Sequence, residues 1–469
     1  MGGGAMRIAV GKQLRVEKPS KELEEWCKKN LIVDNPDYAK KMRMHLWVGN
    51  TPRQLSLMER DGETLVLPYG CLRSVIEFMG GKDTIEVDIP TPTPVWYGAD
   101  VPLYDYQEVA VAKALEAQYG IVQSPAGSGK TQMGIAMAVQ LGRRTLWLTH
   151  THDLLEQSKA RAEQYIRPSL IGTITEGKVH IGKGMTFATV QTMCNLNLAQ
   201  YRDVWDTIIV DECHRVAGTP TAMTQFSKVL NSLAARHKYG LSATVHRADG
   251  MIAATYALLG DVVYVVPDSA VAEKIMTVAI LPRSTNIGLS REFLDTDGTI
   301  IYAKLVNYLA EDFRRNGLIV GDLMKNADHY NLILSDRLGH LEYLMNHLPP
   351  KLREQAVMVD GKMTSKKAKQ LRSQALEDLR QGKKRYLFAT YQLAKEGLDI
   401  PRLDRLYLTT PQKDYAVVTQ SVGRVARTFE GKEEPVVYDY VDNGVQYLIR
   451  SYKKRCTTYR KLGCRFMEG

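Results

Sequence analysis

The 469-residue chain is 44% apolar and 24% charged, with a formal net charge of +10. That length calls for two or three domains, and the composition excludes disorder, collagen and coiled coil as descriptions of the whole chain. No apolar run reaches the roughly 18 residues of a membrane span, while the basic excess admits a polyanionic partner. The six cysteines, at 27, 71, 194, 213, 456 and 464, lack zinc-finger spacing. They are too sparse for a disulfide scaffold, so a reducing, cytoplasmic setting is expected. The first six residues lack the basic and apolar regions of a signal peptide.

Residues 90–94 (PTPTP) predict an extended linker. It sets off an N-terminal accessory domain, 1–100, from two α/β domains, 101–275 and 276–469. In the first, residues 120–124, 144–149, 207–210 and 239–242 predict short buried strands. Helical patterns at 131–141 and 153–165 separate them. In the second, strands are expected at 331–334, 356–359, 385–389, 405–408 and 435–438, with a helix over 366–381. Such alternation predicts parallel sheets.

Residues 124–131 (SPAGSGKT) follow a strand and open a helix. Glycines let backbone N–H groups close around phosphate, and the helix N-terminus favours its charge. Gly127, Ser128 and Gly129 would cradle it. Lys130 would reach the β- and γ-phosphates, and Thr131 would bind Mg²⁺. Ser124 stands where the strict pattern has Gly. Residues 211–214 (DECH) follow an apolar strand. Asp211 there can hold Mg²⁺, and Glu212 can orient or deprotonate the attacking water.

Taken in order, these motifs resemble those of the superfamily 2 helicases, over about residues 100–445. Tyr104 and Gln107 fall in YDYQ, similar to an adenine-reading motif. His214 completes a DExH box. Ser242 and Thr244 fall in LSAT, which resembles the motif coupling hydrolysis to domain movement. Gln420, Arg424 and Arg427 fall in QSVGRVAR, similar to the arginine-finger motif, with both arginines on one face if the segment is helical. Residues 240–250 and 394–401 resemble the XPB-like and UvsW-like branch, and residues 65–71 the leader domain of phage-encoded members.

The resemblance implies two tandem RecA-like domains with ATP and Mg²⁺ bound where both contribute. Gly397 and Asp399 would contact nucleotide. Thr149, His150, Thr189 and Gln191 in the first domain, and Ser335 and Thr390 in the second, would form a nucleic-acid track. As single residues, these hydroxyls could equally be helix caps. The implied activity is an ATP-dependent DNA helicase or translocase, acting as a monomer on branched or forked DNA in recombination, repair or replication. For a phage-encoded member the setting would be the host cytoplasm. An RNA helicase and a restriction-type duplex translocase are the alternatives.

Two basic stretches, 351–385 and 450–465, carry much of the charge. The second predicts an amphipathic helix. Leu448, Tyr452, Cys456 and Tyr459 would face the protein, and Arg450, Lys453, Lys454 and Lys461 would either contact phosphate or form a solvated face, the alternative for both stretches. Trp96, Trp147 and the methionines at 133 and 137 are expected in the core, and His45 and His180 on the surface or satisfied in the core.

Overall fold

A computed structural model describes residues 5–125, 127–175, 177–216, 219–243, 251–272, 276–288, 290–296, 298–359, 366–395 and 400–467. The chain forms two compact units, Met1–Pro267 and Asp268–Gly469.

Unit 1 carries two main sheets. The first is five-stranded, in the order Glu59–Asp61, Thr64–Leu67, Leu14–Glu17, Arg7–Val10, Thr84–Val87. Its strands show the period-two pattern of a half-buried surface: Leu14 and Val16 point inward, Arg15 and Glu17 outward. Helix Lys21–Asn30 begins where the Ser20 hydroxyl accepts from Leu23 N–H, and it packs through Leu23 and Cys27.

This sheet is not closed on itself. Met6, Leu14, Tyr69, Cys71 and Val75 share one apolar cluster with Tyr119, Met223, Met251, Ala254 and Ala257. At Gly70 any Cβ would collide with backbone atoms of Tyr256, Ala257 and Gly260, so the two layers meet backbone to backbone. The Tyr69 hydroxyl donates to Arg236 O at 2.8 Å. Lys238, fully buried, donates to Lys12 O at 3.2 Å and Leu230 O at 2.8 Å beneath the Tyr69 ring. Burial without a counter-ion pulls its amine down to about 7.

The second sheet has eight strands: Lys178–His180, Ile171–Thr175, Met185–Thr189, Thr145–Thr149, Thr207–Asp211, His237–Ser242, Gly120–Gln123 and Val262–Val265. All neighbours are parallel except the edge strand Lys178–His180. Thr145–Thr149 and Thr207–Asp211 are buried along their whole length, as strands with both faces covered must be. Gly134 lets helix Lys130–Leu141 sit close to the sheet, because a Cβ there would lie 2.7 Å from the Trp147 ring.

Unit 2 has one wholly parallel sheet. Its order is Ala356–Val359, Tyr386–Thr390, Asn331–Ser335, Arg405–Leu408, Val436–Asp442, Ala279–Thr285, Arg465–Phe466. Each unit therefore contains an α/β domain of the RecA-like kind, in which strand-to-helix loops leave the carboxyl ends of the parallel strands. Trp147, Met133 and Met137 are in the core, but Trp96 is 79% exposed, with the Arg167 guanidinium over its ring at 5.2 Å. Its surroundings in 90–104 form no strand or helix that could bury it. His45 and His180 are exposed, and all six cysteines are free thiols.

Candidate functional site

In unit 1 the phosphate-loop segment joins strand Gly120–Gln123 to helix Lys130–Leu141. Gly127 and Gly129 take positive φ, +83° and +79°, which L side chains resist. A Cβ on Gly129 would also collide with the Gln107 amide. Ser124 fits its departure from the strict pattern. It is fully buried, its N–H donates to Ser242 O at 2.9 Å, and its hydroxyl donates to Ser128 Oγ at 2.5 Å.

Gln107 is buried against this loop. Its Nε2 donates to Ser128 O at 2.8 Å and its Oε1 accepts from Tyr104 N–H at 2.9 Å, starting helix Asp105–Ala117. Tyr106 OH donates to the same carbonyl at 2.9 Å, and Tyr104, half exposed, stacks on Tyr106. Both ends of the Gln107 amide thus grip the chain.

Asp211 ends the neighbouring-but-one strand and faces the loop. Its Oδ1 accepts from Glu212 N–H at 3.0 Å and its Oδ2 from Ser158 Oγ at 3.3 Å. Burial first, then the Glu212 charge, push its carboxyl up to about 7, against the pull of Lys130. Glu212 has φ +49°, a costly value for a non-glycine residue and one that concentrates at functional sites. Its Oε1 lies 3.7 Å from Lys130 Nζ and its Oε2 lies 3.3 Å from His214 Nδ1. His214 Nδ1 is also 3.0 Å from Ser242 Oγ. Lys130, Asp211, Glu212, His214 and Ser242 therefore form one cluster, with Thr131 one residue into the helix.

Thr149 and Thr189 are paired at the carboxyl ends of adjacent strands, and Gln191 Nε2 lies 3.2 Å from His150 Nδ1. Burial, then the Arg215 and His214 charges, lower the pKa of the His150 imidazole. The Thr149 hydroxyl donates to Thr151 O, and Thr189 caps helix Val190–Cys194. In unit 2, Ser335 and Thr390 are likewise paired at adjacent strand ends. Ser335 Oγ accepts from Arg337 N–H and meets His340 Nδ1 at 3.1 Å. The four residues of unit 1 and the pair of unit 2 each gather at strand ends of one sheet, and the Thr149, Thr189 and Ser335 hydroxyls bond within the chain.

Two family descriptions match the chain, one in each unit. "Type III restriction enzyme, res subunit" covers residues 100–247, and "Helicase conserved C-terminal domain" covers 316–429. The chain belongs to the superfamily 2 helicases. As a helicase it is an ATP-dependent hydrolase. It is similar to a probable helicase, D10, of Escherichia phage T5, at 26% identity over 82% of this chain and 80% of that one. A DNA 3'-5' translocase, XPB2, of Sulfurisphaera tokodaii is 30% identical over 35% of this chain and 36% of that one. The fold also resembles a putative HsdR subunit of a type I restriction enzyme from Vibrio vulnificus, with TM-score 0.54 and 19% identity, over 74% of this chain and 66% of that one.

The helicase's second-unit motif departs from the expected helix. Gln420 and Arg424 lie on helix Tyr415–Val425, Gln420 being mostly buried. That helix ends at Val425, so Arg427 lies beyond its cap and does not share a helical face with Arg424. Lys432 fixes this turn: its ammonium donates to Val425 O, Arg427 O and Pro401 O at 2.7–2.8 Å. Nothing in the sequence marked Lys432, whose partners among the described residues are backbone carbonyls. Thr244, Gly397 and Asp399 lie outside the described residues.

The C-terminal helix, Gln446–Lys461, buries Leu448, Cys456 and Tyr459 and exposes Arg450, Lys453, Lys454 and Lys461, as its pattern predicts. Arg455 differs from the other basic residues of the tail. It is buried in a bidentate pair with Asp439, at 2.7 Å from Nη2 to Oδ1, and so is no phosphate contact. Arg465 pairs with Glu434 on the surface.

Proposed function

We propose that this helicase is a DNA-dependent ATPase that unwinds or branch-migrates forked and branched DNA. The observation that carries the reading is the cluster of Lys130, Asp211 and Glu212 at the mouth of a glycine loop. A cation and two carboxylates face a helix N-terminus there, as phosphoryl transfer needs. Among the described residues no group of three His, Cys, Asp or Glu could hold a metal alone. That suits Mg²⁺, which takes one or two carboxylates and completes its shell with phosphate oxygens and water.

In this reading Thr131 and Asp211 hold Mg²⁺, and Lys130 neutralises phosphate charge. ATP supplies the phosphoanhydride whose cleavage drives the motor. Glu212 orients or deprotonates the attacking water. Arg424 and Arg427 are assigned to transition-state charge, with Lys432 holding the turn that carries Arg427. Thr149, His150, Thr189, Gln191, Ser335 and Thr390 follow a strand through polar groups that do not read bases. Residues 1–100 act as an accessory domain that selects the substrate. The XPB-type relative, a DNA translocase, favours DNA. ATPase rates with branched DNA, duplex DNA, single-stranded DNA and RNA at one salt concentration test the reading. Branched DNA should stimulate most, and RNA as the best activator would overturn it.

A further inference from the structure

Between Asn35 and Arg53 the N-terminal region extends a loop unlike the rest of the surface. Its base is fastened. Strands Ile32–Asp34 and Gln54–Ser56 pair, Asn35 N–H donates to Arg53 O at 2.9 Å, and Asn35 Nδ2 donates to Pro52 O at 2.9 Å. The outgoing arm is helix Pro36–Arg43, capped by Asn35. The turn after it is closed by hydrogen bonds from Met44 N to Lys40 O and from Leu46 N to Lys41 O. Lys41 Nζ ties the helix to Thr51 Oγ1 at 2.6 Å.

This ordered tip carries the wrong side chains for a solvated turn. Met42, Met44 and Leu46 are each more than half exposed, and Trp47 is 87% exposed. Gly49, at φ +53°, lets the indole lie over its backbone, since a Cβ there would come within 2.8 Å of the ring. Scattered exposed apolar residues need no explanation, but four in six consecutive positions on a fastened loop do. The charge around them is one-sided: Lys40, Lys41, Arg43 and Arg53 stand against Asp37 alone between residues 36 and 53.

We infer that this loop is a contact for the branch point of DNA, with Trp47 stacked on an exposed base face and Lys40, Arg43 and Arg53 on the flanking phosphates. An aromatic face flanked by cations suits a base with its backbone. A branch point offers such an open face where an intact duplex does not, and apolar side chains such as Met44 and Leu46 can enter an unstacked step. The inference rests on the DNA reading above and gives it a residue-level substrate contact.

The test uses the full chain, because the N-terminal sheet shares its core with the rest of unit 1. Trp47→Ala, Trp47→Phe and Arg43→Glu are compared with wild type. Readouts are anisotropy on a labelled fork and an equal-length blunt duplex, ATPase with single-stranded DNA, melting and size-exclusion chromatography. Trp47→Ala should lose about tenfold in fork affinity, the scale of one stacked base. Duplex binding and melting should not change, ATPase at saturating single-stranded DNA shows that the motor is intact, and Trp47→Phe should recover most of the loss. Arg43→Glu should weaken fork binding and flatten its salt dependence by about one log–log unit. Wild-type fork affinity in Trp47→Ala overturns the inference. So does loss of a self-association by Trp47→Ala, which would make the loop a protein contact. A wild-type protein that no DNA stimulates would instead overturn the functional reading itself.

Discussion

The two units use the same chemistry, a cation against a carboxylate, to opposite ends. In unit 2, Arg455 lies on Asp439 with Tyr459 OH donating to the same carboxylate at 2.7 Å, and Arg315 lies on Asp442 with Thr409 O and Thr285 around them. Those pairs are sealed from water, and their polar atoms have several partners each. In unit 1, Lys130 and Glu212 stand 3.7 Å apart, beyond hydrogen-bond reach, and both keep some exposure. A saturated pair holds a fold together and cannot accept a ligand. The wider Lys130–Glu212 pair is partly open to solvent, where a ligand can reach it.

The difference can be broken most sharply at the loose pair. Lys130→Ala and Glu212→Gln should each lower ATP turnover by about 10³-fold or more, with a melting curve close to wild type. Steady-state ATPase and calorimetry on the same samples decide this, and a large melting shift would make the pair structural. On the proposed reading, Arg427→Ala should cost turnover about 10³-fold while ATP affinity falls much less, the pattern of a cation that acts mainly on the chemical step. Single-turnover rates and nucleotide titration separate the two quantities.

The saturated pair should respond the other way. Arg455→Ala leaves the Asp439 carboxylate buried without its cation and should destabilise the protein by about 3–5 kcal/mol. Denaturant titration measures this, and Arg455→Met should recover part only if Asp439→Asn accompanies it.

Lys238 is the intermediate case, a buried amine whose hydrogen-bond partners among the described residues are carbonyls. Its amine titrates near 7 when folded, against an ordinary value of 10.5. Between those values the unfolded chain binds a proton that the folded chain does not. Its contribution therefore makes stability rise with pH from 7 to 10.5, and its burial cost is fully present below 7. Lys238→Met should flatten that rise, read as the mutant-minus-wild-type difference in urea midpoint at pH 6.5 and at pH 9.

Much of this was legible because the central strands are continuous apolar runs. Ile208, Ile209 and Val210, or Leu332, Ile333 and Leu334, have no other stable place than a covered sheet, and the predicted bounds fall within a residue or so of the observed ones at most of these strands. Met185–Thr189 was missed because MTFAT carries two threonines and no aliphatic run, although every residue is buried. The N-terminal strands were missed because four residues of alternation are too short to stand out. The phosphate loop and the carboxylates were legible from residue type and spacing. The double grip of Gln107, the end of the arginine helix at Val425 and the carbonyl cage of Lys432 depend on backbone geometry that no side-chain pattern encodes.

The seam through Gly70 also sets an order of events in synthesis. Cys71 meets Ala257 across 186 residues, and Lys238 meets Lys12 across 226. The apolar face of the N-terminal sheet, with Tyr69, Cys71 and Val75, leaves the ribosome long before the residues that cover it. Contacts so distant in sequence pay loop closure before they gain burial, which slows folding and leaves sticky surface open meanwhile. The nascent chain is therefore expected to need protection until residue 260 has emerged, and a ribosome stall shortly before that point should yield an aggregation-prone fragment.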